Sequence, residues 1–236
     1  MDIITTAYGW EFLFRWIHFL AGITWIGMLY YFNFVQTPFF ATELGGQARS
    51  PMIRGLVPNA LWWFRWGAMF TFLSGWTLVL MYLFHDGMSL GDGLITRILT
   101  GGIMGTLMWY NVWFVIWPAQ QVVIRSAEQV AAGGEAIPEA AALGQRAGLA
   151  SRTNTLFSIP MLFFMGSARH FDTFNNGSND FLYWIVALLI IGAVEANALM
   201  KPGLPTQKPL SSVSGTIHAG LALTLVLYLV GLGLNS

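Results

Sequence analysis

Cysteine is absent from the 236 residues. Disulfides, thiolate metal sites, iron–sulfur clusters and covalently attached c-type haem are therefore excluded within them. Charge is nearly as scarce: 9% of residues are charged, against about 25% in an ordinary soluble domain. Eleven acidic residues balance eleven basic ones, so there is no electrostatic case for nucleic-acid binding. No phosphate loop, zinc-protease signature or nucleophile elbow is present. The N-terminus carries Asp2 and Glu11 rather than a basic leader. Its first apolar run is long enough to span, which predicts a helix retained in the membrane.

What is there is apolar and aromatic: 56% hydrophobic residues, with 18 Phe and 11 Trp. That composition makes lipid the solvent and predicts an all-α, polytopic helical bundle in one transmembrane domain over 1–236. Segments at roughly 11–36, 60–84, 94–117, 152–170, 181–200 and 212–234 give about six spans of about 30 Å of hydrocarbon. The fourth opens on the polar run "SRTNT" and contains Pro160, so it must be kinked or buried against its neighbours. "QTPFFATELGGQARSPMIRGLVPN" reads as a connection rich in Gly and Pro. Residues 118–151 are the longest polar segment, predicted as two short Ala-rich helices broken at Gly133–Gly134, with Pro138 suited to a helix start. "GGIMG" at 101–105 has the small-xxx-small spacing of a close helix contact, and "LWWFRW" at 61–66 reads as an interfacial belt with a snorkelling Arg65.

Six spans put both termini on one face, A, with the 85–93 and 171–180 loops. Face B holds the other three connections. Arg49, Arg54, Arg65, Arg125, Arg146, Arg152, Lys201 and Lys208 lie on or near B, and Arg15, Arg97 and Arg169 near A. Eight against three makes B, including the polar 118–151 segment, cytoplasmic.

The polar residues inside the spans carry the functional signal. Glu11, Arg15, His18, Gly22 and Trp25 are spaced along one helix stripe. Arg15 can snorkel. His18 sits deeper, either as a neutral imidazole bonded to a neighbouring helix or as a metal or haem ligand, with Gly22 leaving room for a flat cofactor. His85 and His170 fall at the A ends of two other helices, with Asp86, Asp92 and Asp172 in the adjoining loops. Haem b, or alternatively copper or zinc held by His18, His85 and His170, are the cofactors these histidines suit, with Arg15 and Arg169 placed to pair with haem propionates. Near face B, Glu195 and His218 lie at similar depth. They form either a structural hydrogen bond, with Asn197 an alternative partner for Glu195, or a proton or substrate path. Asn111 is a further buried-polar candidate, and Asn176-Gly-Ser fits a glycosylation sequon.

"RWIHFLAGITWIGMLYYF", "WWFRWGAMFTFLSGW", "SRTNTLFSIPMLFFM" followed by "SARHF", and "VEANAL" together resemble the membrane domain of the membrane-bound urate oxidase (urate hydroxylase) family of the PuuD type. The likeness runs from about 10 to 200, and "RTNTLFSIPMLFFM" is its most specific block. The helix-one pattern is also similar to haem-binding proteins of the HemJ type and to the CopD copper-resistance group. The resemblance implies a bacterial inner-membrane protein, with His18 and His170 on histidines of the family's motifs. Full-length relatives continue into a periplasmic cytochrome c domain that receives electrons from urate. Either a separate cytochrome c serves these cysteine-free residues, or the protein does something other than oxidise urate. Gly67 in "FRWGAM" replaces an acidic residue of the family pattern, a departure that bears on urate chemistry.

Three function classes follow: a redox protein with haem b and urate as its default substrate, a non-catalytic membrane subunit of a larger redox complex, and a proton-coupled carrier using Glu195 and His218. Orientation is testable first. A reporter fused after Ser236 is expected to be active in the periplasm, and one inserted near Gly133 in the cytoplasm. The reverse pattern would overturn the assignment of the two faces.

Overall fold

A computed structural model describes residues 3–171 and 180–235. Asp172 and Asn176 lie outside these described residues, among which no strand occurs. Helix α1 (Ala7–Tyr30) is capped by the Thr6 hydroxyl, which accepts from the Gly9 amide at 3.1 Å. It continues through a π-helical turn, Tyr31–Gln36, into α2 (Thr37–Phe40). Helix α3 (Glu43–Phe84) is 42 residues long, about 63 Å at about 1.5 Å per residue. Helix α4 (Gly93–Tyr110) passes through a second π-helical turn, Asn111–Ile116, into α5 (Trp117–Ala131). Then come α6 (Ala140–Ser167), α7 (Asp180–Leu199), a 3-10 helix at Pro205–Ser211 and α8 (Val213–Asn235).

The two π turns share a cause in the sequence. Each ends two residues before a helix-borne proline, Pro38 or Pro118. A proline lacks the amide that would bond back one turn, and its ring crowds the carbonyl there. The chain widens instead: Thr37 N–H reaches back to the Phe32 carbonyl, and Trp117 N–H to that of Val112. Such single wide turns are often found at functional sites.

Five helical stretches are long and apolar enough to cross a membrane: Ala7–Phe40, Glu43–Phe84, Gly93–Ala131, Asp180–Leu199 and Val213–Leu234. The remaining long helix, α6, has 28 residues, about 42 Å, but its polar run keeps it off that set. It is instead packed against α1, α4, α5, α7 and α8, and residues 153–158 are all buried. Its neighbours come close enough to permit this. A Cβ added to Gly101 of α4 would lie 3.0 Å from the Met161 carbonyl oxygen of α6, as the "GGIMG" spacing anticipates.

Two expectations about the connections are corrected. The stretch between the first two spans is helical, because Thr42 caps α3 by accepting from the Gly45 amide at 3.0 Å, and α3 runs through Pro51 and Pro58 into the membrane half. The chain does break around Gly133–Gly134. The helices on either side, however, are extensions of the adjoining long helices rather than separate short ones.

Candidate functional site

Antiparallel packing of α1 on α3 fixes the depth of His18. Its Nδ1–H donates to the Thr71 carbonyl at 2.9 Å and lies 3.3 Å from the Ser74 hydroxyl. Committing Nδ1–H to a carbonyl leaves the lone pair on Nε2, the tautomer that a metal-ligating histidine presents. Gly75 is what lets the ring lie against α3, since a Cβ there would fall 2.8 Å from His18 Cε1. Gly22 does not open a slot for a cofactor. It lies against Thr71, and Trp25 beyond it is 2% exposed, so this part of the stripe is a helix–helix seam.

Nearer the A end, Arg15 pairs with Glu11 one turn back and donates to the Tyr82 hydroxyl at 2.7 Å. Arg169, just beyond α6, reaches the same hydroxyl at 3.5 Å. Tyr82 thus brings together the two guanidinium groups singled out in the sequence. Arg97, treated there only as a charge near A, is 3% exposed and donates to the Ala168 carbonyl at 3.1 Å, binding an end carbonyl of α6. His85 and His170 are both exposed. Among the described residues, no group of three His, Asp or Glu side chains comes together to hold a metal ion. His18, His85 and His170 do not form the shared site expected of them, because one ring is held in the α1–α3 seam and the other two face outward.

The Glu195–His218 pair is also corrected. Glu195 is 6% exposed and accepts from Asn111 Nδ2 at 3.1 Å. The same Nδ2 donates to Asn154 Oδ1 at 2.9 Å, and Asn154 Nδ2 donates to the Met108 carbonyl at 2.9 Å. This buried network joins α7, the π turn at Asn111 and α6. His218 is exposed and bonds within its own helix, 2.7 Å from the Ser214 carbonyl. Asn197 holds the turn after α7, through Thr206 and Gln207, not Glu195. Among the described residues no hydrogen bond joins Glu195 to His218.

A cavity of about 580 Å³ opens near face B between the first π turn, α3, α6 and the 3-10 helix. Its polar lining includes Asn33, Gln36, Gln120, Arg152 and Lys208. Asn33 donates to the Leu29 carbonyl and to the Ser151 hydroxyl at 2.8 Å, tying this wall to α6. Arg65 does not merely snorkel nearby: its guanidinium sits 4.0 Å from the Trp117 ring centroid, a cation–π contact joining α3 to α5.

Residues 93–226 match the family model described as urate oxidase N-terminal. The chain belongs to this family. The match runs from the start of α4 into α8, so Asn111, Arg152, Asn154 and Glu195 lie inside it and His18 outside. No curated protein and no solved structure gives a significant match to the chain.

The sequence reading missed the cavity, the role of Tyr82, and Asn154 as partner of Asn111. The available signals were Asn33 and Gln36, three apart in an apolar run, and the polar letters of "SRTNT". The network predicts unequal costs on thermal unfolding in detergent. Asn154→Leu removes two buried hydrogen bonds and should destabilise by about 1–3 kcal/mol. His218→Ala should stay within about 0.5 kcal/mol. Equal destabilisation would show that His218 takes part in the buried network.

Proposed function

We propose that this urate oxidase N-terminal family member is a bacterial inner-membrane oxidoreductase domain that oxidises urate and passes electrons to a periplasmic cytochrome c. The observation that carries the reading is the family match over residues 93–226. Hydroxylating urate with water releases two electrons and two protons, so the chain needs an electron carrier. Haem b would supply that chemistry, and His18 is the residue best fitted to hold it.

Three features support His18 in that role. Its Nδ1–H is fixed by the Thr71 carbonyl, so Nε2 is free to ligate. The imidazole is held in a helical bundle, where burial and hydrogen bonding tune a haem potential. Arg15 and Arg169 converge on the Tyr82 hydroxyl, giving two cations for propionates through charge-assisted bonds. In this reading both termini and the electron exit lie on the periplasmic face.

The purified protein is expected to show a Soret band and to reduce cytochrome c in the presence of urate. His18→Ala should remove the band while the protein still elutes as a folded species. Arg15→Ala should keep the haem but shift its potential. An unchanged spectrum in His18→Ala would overturn the ligand assignment. Bound haem without urate-dependent reduction would favour the accessory-subunit reading.

A further inference from the structure

We propose that the B-face cavity is a binding site for a small planar anion with amide-like edges, anchored by Arg152. The argument starts from charge. The cavity is lined by two cations, Arg152 and Lys208, and by no carboxylate among the described residues. Arg152 Nη1 is buried and has no hydrogen-bond partner among them. A guanidinium held in a membrane bundle normally finds an anion or a carbonyl, because its desolvation is otherwise uncompensated.

The second observation is an acceptor with nothing to accept. Gln36 lies in the first π turn and is 9% exposed, and its Oε1 is buried without a donor among the described residues. Arg152 and Gln36 line the same cavity. Turned into the cavity, they would supply what a lactam-bearing anion needs: N–H groups for its oxygens and an oxygen for its ring N–H. The apolar wall includes Phe32 and Phe64, whose rings meet edge to face at 5.6 Å and 79°. Such a wall suits a flat ring system better than a lipid phosphate, which needs only the cation.

The geometry also permits access and exchange. About 580 Å³ falls within the range of about 300–1,000 Å³ for small-molecule sites. Rim residues Gln145, Gly148, Pro202 and Lys208 are exposed, so the ligand enters from face B. Arg152 belongs to the "RTNT" block and lies inside the family match, and Gln36 owes its position to the π turn that Pro38 imposes. The cavity is separate from His18, because Asn33 at its wall lies 15 residues along the same helix, about 22 Å in depth. Naming urate as the anion rests on the proposed function; selection for a flat, amide-edged anion rests on the lining.

The test measures equilibrium binding of urate, orotate and neutral uracil to the full chain in nanodiscs of zwitterionic lipid. At least one of the two anions should bind, more tightly than uracil. Arg152→Gln should weaken that binding by about 10–100-fold, and Gln36→Leu by about 10-fold. Arg152→Lys should retain part of it, and Arg125→Gln, which removes an exposed B-face charge outside the cavity, should leave it unchanged. Circular dichroism and elution volume check that each variant folds, and Gln36→Leu decides the question if Arg152→Gln does not. Binding of neither anion, or binding that ignores both Arg152→Gln and Gln36→Leu, would overturn the cavity site. Urate bound with no sensitivity to either variant would leave the urate reading standing. Orotate bound through Arg152 with no urate binding would keep the cavity and overturn the urate reading.

Discussion

Residues 151–158 of α6 present six polar side chains in two turns, and lipid can satisfy none of them. The fold answers by surrounding α6 with helices that carry matching groups. Ser158 meets the Tyr30 hydroxyl at 2.9 Å, Ser151 accepts from Asn33, and Asn154 meets Asn111 and the Met108 carbonyl. Thr155 bonds back to the Ser151 carbonyl of its own helix at 3.1 Å. The α1 stretch, α4 and its π turn, and α7 are all tied to this one helix. Two members of the run keep a buried atom with no partner among the described residues, Thr153 through Oγ1 and Arg152 through Nη1, and of these two Arg152 lines the cavity.

The same constraint gathers the polar groups at two ends of the molecule. Towards face A, the polar groups gather around His18, Tyr82 and two guanidinium groups, with the carbonyl bond from α3 setting the imidazole tautomer. Towards face B, the π turns rotate Gln36 and Asn111 off the regular helical register, one into the cavity and one into the Asn154–Glu195 network. Between them the bundle is closed by Trp25, Phe157, Phe164 and other side chains with almost no exposure. A redox cofactor at one end and a polar ligand site at the other are compatible with a single dry core.

The helical class, the apolar runs and the break at Gly133–Gly134 were legible because hydrophobic length and backbone breakers are local signals. The difficulty of "SRTNT" was legible too, as a helix that had to be buried. Its partners were not, since pairing Asn154 with Asn111 depends on the register of two helices far apart in sequence. Glu195 and His218 were matched by depth alone, and depth does not say which way a side chain faces: His218 looks outward, Glu195 inward. The connection before the second span was misread because Pro51, Pro58 and three glycines look like breakers, whereas a capped helix propagating from a stable membrane half carries them. His18 stands out in the sequence as a histidine inside an apolar run, but its orientation depends on Gly75, a residue with no chemistry of its own.

The account stands on the polar run of α6, residues 153–158, being sealed in protein. The absence of native cysteine allows a clean measurement: single cysteines along α6, probed with a water-soluble maleimide supplied to the B side. Gly148→Cys and Ser151→Cys, at the cavity, are expected to react. Thr155→Cys and Ser158→Cys, fully buried one and two turns deeper, are expected to stay unlabelled in the folded protein. Labelling of Ser158→Cys as fast as Gly148→Cys would mean that water runs along the helix, and the dry polar core would be contradicted.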